Sequence, residues 1–117
     1  MTNLELGQFG EDVAVAYLLE QDYVLLGRNI RTRCGEIDII MKDGSTLVAI
    51  EVKTRRSQQY GLPCEAVNSA KQRHIRQSMT LYMAQNEVSH EFVRFDVVEV
   101  YVVADTVQHI RHLKGCF

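Results

Sequence analysis

Three features of the sequence predict an α/β fold with a mixed, mainly antiparallel β-sheet flanked by α-helices. Near the N-terminus, Leu6, Phe9, Val13, Ala14 and Tyr17 recur at helical spacing. Further on, two apolar runs are joined across Lys42-Asp43-Gly44-Ser45. Asp-Gly between such runs is a strong hairpin signal, because a two-residue turn needs positive φ, which these residues tolerate best. A second helical stripe, Ile75, Met79, Tyr82 and Met83, precedes a long run of β-formers over Phe92–Val103.

The first helix runs to about Glu20, with Gly7 and Gly10 marking close packing or a frayed start and Glu11 lying off the main apolar stripe. Tyr23-Val24-Leu25-Leu26 reads as a short strand. It leads through the basic segment Arg28–Arg33 into the strand Glu36–Met41 and its hairpin partner Thr46–Lys53. Thr54–Glu65 is polar, holds Gly61 and Pro63, and reads as a loop that could serve as a lid, with Tyr60 an anchor or a stacking contact. Asn68 or Ser69 caps the second helix, which extends to Gln85. Along Phe92–Val103, Arg94 and Asp96 face away from Val93, Phe95 and Val97 and read as a strand ion pair. Thr106–Leu113 is the final edge strand, with His109 and His112 expected at the surface.

A chain of 117 residues suits one domain, residues 1–117, and an apolar fraction of 46% argues against disorder. No apolar stretch approaches the roughly 20 residues needed to span a bilayer. Glu5 and Glu11 stand where a signal segment would be basic and then apolar, so a cytoplasmic protein is expected. Cys34, Cys64 and Cys116 are odd in number and lack metal-ligand spacing, which predicts free thiols.

If Asp43-Gly44 forms the turn, Lys42 pairs with Ser45, Glu36 faces Glu51 and Asp38 faces Ala49. Glu36, Asp38, Glu51 and Lys53 then share one face, and Ile37, Ile39, Val48, Ile50 and Val52 share the other. Carboxylates so gathered repel one another unless a positive charge sits between them, which Lys53 or a metal ion would supply. Oxygen-only ligation suits a hard cation such as Mg²⁺ or Mn²⁺, and phosphodiester hydrolysis fits such a site. Alternating charges on an exposed strand are also ordinary surface, contributing about 0–1 kcal/mol per ion pair.

Gly10-Glu11, Arg28-Asn29, Gly35-Glu36-Ile37-Asp38, Glu51-Val52-Lys53 with Arg55, Gly61, Pro63, Lys71 and Arg94-Phe95-Asp96 together resemble the bacterial YraN family. That family is similar to archaeal Holliday-junction resolvases and lies within the PD-(D/E)xK nuclease superfamily. The resemblance covers most of the chain. It implies a restriction-endonuclease-like core, Asp38 and Glu51 as metal ligands, Glu11 as a further acid reaching the site from the helix, and Lys53 as the catalytic lysine. The superfamily pattern usually has a proline before the strand's acidic residue; Gly35 and Glu36 stand there instead, and the proline ligates nothing.

The net charge of −2 opposes nucleic-acid binding at first sight. Its distribution does not, because Lys53, Arg55, Arg56, Lys71, Arg73 and Arg76 face Glu65 alone in their segment, and Arg28, Arg31 and Arg33 form a second basic run. Arg31, Arg33, Arg55, Arg56, Lys71, Arg73 and Arg76 are therefore the phosphate-contact candidates. A metal-dependent DNA endonuclease is the expectation, with branched DNA and a homodimer implied by the resolvase likeness. Its rivals are a non-cleaving nucleic-acid-binding module of the same fold and a protein-interaction domain.

Overall fold

Thr2 starts the first helix, α1 (Asn3–Glu20), through a reciprocal cap. Its hydroxyl accepts from the Glu5 N–H at 3.1 Å while the Glu5 carboxylate accepts from the Thr2 N–H at 3.0 Å. A computed structural model describes residues 1–56 and 67–117. After α1 come β1 (Val24–Thr32), β2 (Gly35–Asp43), β3 (Thr46–Arg55), α2 (Ser69–Gln85), β4 (Phe92–Val103) and β5 (Thr106–Leu113). The loop expected over Thr54–Glu65, with Tyr60, Gly61 and Pro63, lies mostly outside the described residues.

The strands form one sheet in the order β1-β2-β3-β4-β5. β1, β2 and β3 make an antiparallel meander, α2 lies in the crossover that sets β4 parallel to β3, and β5 returns antiparallel at the edge. The α/β class and the mixed, mainly antiparallel sheet are as expected. β1 is longer than the Tyr23–Leu26 reading, because the basic segment after it continues the strand to Thr32. Leu6, Ala14, Val15 and Leu18 of α1 pack on one face of the sheet with Ile39, Met41, Val48, Ile50, Val98, Val100 and Val102. Ile75, Met79 and Tyr82 of α2 cover Ile37, Ile40, Leu47, Ala49, Phe95 and Val97 on the other.

The β2–β3 register differs from the expected one. Gly44, at φ 59, takes the first central position of the turn and Ser45 the second, so Asp43 pairs with Thr46 and Ile40 with Ala49. Glycine is favoured at that first position because it adopts positive φ without a Cβ clash. The expected pairings of Glu36 with Glu51 and of Asp38 with Ala49 are thereby corrected. Ile37 and Ile39 were also expected on one face, yet they pack in different cores. Strict alternation breaks at Asp38, opposite a β1 position where Asn29 has φ 51.

α1 lies so close to β3 that only glycine fits at one point: a Cβ on Gly10 would stand 1.8 Å from Thr54 Oγ1 and 2.9 Å from Thr54 Cβ. Gly10→Ala is expected to lower stability by about 1–3 kcal/mol, read in a urea titration, with Thr54→Ala restoring part of the loss. Gly7→Ala is the control. Its methyl meets nothing within 4 Å, and the gain in helix propensity should leave stability equal or higher.

Asp96 is fully buried on β4. It accepts from Arg94 Nε at 2.9 Å and Nη2 at 3.0 Å, from the Gly115 N–H at 2.9 Å, and meets His112 Nε2 at 2.8 Å. His112 is therefore an interior residue, with only 6% of its side chain exposed and its ring edge-on to Tyr17 and Tyr23, rather than the surface residue expected. Edge-strand position suggested exposure, but the ring points at the buried Asp96 carboxylate. Cys34 is a free thiol in the β1–β2 turn, whereas Cys116 is disulfide-bonded, so the expectation of free thiols is corrected there. An odd total leaves room for one pair.

Candidate functional site

The regular β2–β3 ladder ends at Ile39 and Ile50. Beyond it, the Asp38 carboxylate takes over from a backbone partner, accepting the Val52 N–H through Oδ2 at 2.9 Å. This turns Asp38 toward Glu51, close enough for each carboxyl to perturb the ionisation of the other. Glu51 is 6% exposed. Its neighbours Ala49 and Ile50 are core residues on either face, so the backbone has no freedom to swing the side chain outward.

Two cavities reach this acid pair. One, of about 440 Å³, lies against α2 and is lined by Gly35, Glu36, Asp38, Glu51, Lys71 and His74 among others. The second, of about 350 Å³, lies against α1 and includes Glu11, Asp38, Glu51, Lys53 and Thr54. The structure thus brings together the four residues expected to act as a unit, Glu11, Asp38, Glu51 and Lys53. Glu36 joins on the α2 side.

Burial raises the Asp38 carboxyl above its usual range, although the Val52 N–H and the nearby Lys71 charge pull it back. Burial, and then repulsion from Asp38, pushes Glu51 up to about 7. Glu11 is also raised, by burial first and by Asp38 second, with Arg28 opposing at 3.6 Å. Between about pH 4.5 and 7 the folded protein holds a proton on Glu51 that the unfolded chain releases, so stability falls as pH rises through that window and is level above it. Glu51→Gln is therefore expected to be more stable than the wild type at pH 8, on the order of 1–3 kcal/mol, and no more stable at pH 5. Urea titrations at the two pH values check this; a variant less stable at pH 8 would sink it.

Sequence reasoning missed one contributor. Asn29, in the amide orientation that lets its nitrogen donate, reaches Glu11 Oε1 at 3.3 Å and Glu36 Oε1 at 3.2 Å, so its left-handed backbone on β1 aims an amide between two acids. Lys71, grouped above with the phosphate contacts, places its ammonium 2.5 Å from Glu51 Oε1. This placement agrees with the one-turn spacing of Lys71 before Ile75, which points the Lys71 stem to the sheet side of α2 and delivers its charge near the site.

The remaining basic candidates differ in their surroundings. Arg31, Arg33 and Arg73 are exposed, and Arg31 lies 3.9 Å from Glu36. Arg55 donates to the buried Glu99 at 3.0 Å, and Arg56 donates to Asn3 Oδ1 and the Met1 carbonyl. Arg76 stacks over the Phe95 ring at 4.6 Å. Among the described residues, no three carboxylate, imidazole or thiol side chains already converge as a metal cage, and no helix is long and apolar enough to cross a membrane.

Comparison with known proteins places this arrangement in context. Residues 10–100 match the model of a family described as "Uncharacterised protein family UPF0102". A UPF0102 protein of Caldicellulosiruptor saccharolyticus is 43% identical over 118 residues, covering 100% of both chains. One from Geotalea daltonii is 42% identical over 115 residues, covering 98% of this chain and 91% of its own. One from Clostridium beijerinckii is 41% identical over 116 residues, with 98% and 94% covered.

Proposed function

The chain belongs to the UPF0102 family, and from that footing we propose that it is a metal-dependent endonuclease of PD-(D/E)xK type acting on DNA phosphodiester bonds. The observation that carries this reading is the adjoining carboxyls of half-buried Asp38 and buried Glu51, open to two cavities and flanked by Glu11 and Lys53. A carboxyl pair held above its usual range is short of positive charge. Its donors are all oxygen, which fits a hard divalent cation, Mg²⁺ or Mn²⁺, with Asp38, Glu51 and Glu11 as the holders. Such a cation, when bound, polarises a phosphoryl oxygen and acidifies an attacking water.

The chain's own groups do the rest. The Val52 N–H fixes the Asp38 carboxylate, so that one carboxyl oxygen is committed and the other can turn to the cavity. Lys53 is exposed at the α1-side cavity, where its ammonium orients the water and stabilises the negative charge that grows on the phosphoryl oxygens. Glu11 enters from α1 because Gly10 lets that helix approach β3. Arg31, Arg33 and Arg73 contact neighbouring phosphates, and their effect weakens with salt. Branched DNA is the preferred substrate in this reading, cut by a two-fold dimer that sets one site on each strand.

A second reading, binding without cleavage, draws on Lys71 already neutralising Glu51 and on the absence of a converged cage among the described residues. The test compares labelled duplex, single-stranded and four-way-junction DNA with Mg²⁺, Mn²⁺ or EDTA. Divalent-dependent hydrolysis that disappears in Asp38→Asn supports the nuclease. Salt-dependent binding with no cleavage in any ion leaves the binding module, and no affinity for any of the three overturns both readings in favour of a protein-interaction domain.

A further inference from the structure

Among the described residues, Lys71 is the one basic side chain in an ion pair with the Asp38–Glu51 pair. Its ammonium lies 2.5 Å from Glu51 Oε1, in the cavity that also holds Asp38, Glu36 and His74, while half of its side chain remains exposed. Burial disfavours this charge, but the contacts with Glu51, Asp38 and Glu36 outweigh that cost and raise its pKa. The long stem springs from the first turn of α2, whose N-terminus is secured independently: Asn68 Oδ1 accepts the Lys71 N–H at 2.9 Å. The backbone is thus anchored while the ammonium is mobile about four methylenes.

We propose that Lys71 is a positioning residue that occupies the acid pair when no divalent cation is bound and, once displaced from Glu51, turns its ammonium to the DNA phosphate at the same cavity. This rests on the nuclease-type reading of the site. A divalent cation seated on Glu51 competes with the ammonium for the same negative charge and repels it at this range, so cation binding drives the Lys71–Glu51 contact apart. The freed charge stays in a cavity open to solvent, and a backbone phosphate is the group that complements it there. Metal and DNA binding are then coupled through one side chain, and the coupling must be reciprocal.

The full chain is compared with Lys71→Met and Lys71→Arg, using calorimetric titration with Mg²⁺ or Ca²⁺ at pH 9 and junction-DNA affinity in EDTA and in Ca²⁺. Lys71→Met should bind the divalent cation about tenfold more tightly than the wild type, because the internal competitor is gone. Its DNA affinity should fall about tenfold in Ca²⁺ and by clearly less in EDTA, where Lys71 is held by Glu51. Lys71→Arg should retain the Ca²⁺-dependent gain in DNA affinity. Equal divalent affinity in wild type and Lys71→Met overturns the inference and leaves the metal reading standing. Absence of divalent binding in every protein overturns the metal reading itself.

Discussion

In the proposed nuclease reading, Lys53→Ala should reduce hydrolysis by about 10²–10³-fold or more, the loss typical when one preorganised electrostatic group is removed from a transition state. The same change should leave the fold intact. Lys53 is exposed and, among the described residues, no hydrogen bond or ion pair of its side chain holds the structure, so stability should stay within about 0.5 kcal/mol of the wild type. Affinity for DNA in Ca²⁺ should change only a few-fold, because one phosphate-directed charge among several is lost. The expected pattern is a fall in the maximal rate with little change in half-saturation, as befits a group that acts on developing charge. Lys53→Arg should not restore activity, since a planar guanidinium presents its donors differently from a compact ammonium. Wild-type rates in Lys53→Ala would remove this residue from the chemistry, and with it the strongest link between the Glu51-Val52-Lys53 strand and catalysis.

The largest effect on stability should come from Asp96→Asn, at about 3–5 kcal/mol, a substantial share of the roughly 5–15 kcal/mol that stabilises a domain. The substitution keeps the shape and removes the charge. An asparagine oxygen can still accept from Arg94, but its amide nitrogen would face the Gly115 N–H or the His112 ring, setting donor against donor in the interior. The pH dependence identifies the cause. Burial alone would raise the Asp96 carboxyl, yet the bonds from His112, Arg94 and Gly115 outweigh it and hold the group below the usual aspartate range. Stability from this depressed carboxyl is present above the unfolded value of 3.8 and is lost as pH falls through the folded one. Wild type and variant should therefore differ most near neutrality and converge in strong acid, as read by urea titration at each pH. A constant difference across pH would assign the loss to packing instead.

The helices, the hairpin and the two late strands were legible because each carries a local signal. Asn68 accepts the Lys71 N–H as an N-cap must, Ile75, Met79 and Tyr82 are buried at helical spacing, and Phe92–Val103 is the strand its β-formers imply. The register was less legible. Asp43-Gly44 and Gly44-Ser45 both offer a glycine for positive φ, and the choice between them moves each strand by one residue without changing which side chains face the same way in an unbroken ladder. The break at Asp38 left no comparable mark in the sequence, since it depends on Asn29 in a neighbouring strand.

Composition, spacing and turn chemistry sufficed for the element order and the α/β class, because they act over a few residues, whereas Glu11 was drawn toward Asp38, Glu51 and Lys53 only by the family resemblance. How those acids meet was settled in three dimensions. Asp38 reaches Glu51 because the ladder stops at Ile39–Ile50 and a Val52 N–H is left for the carboxylate to satisfy. Lys71 comes to the acids from α2, twenty residues beyond Glu51, Asn29 comes from β1, and His112 turns inward to Asp96 across β4 and β5. Charges separated by long stretches of sequence are paired only when packing brings them together, and burial then decides which of them hold their protons.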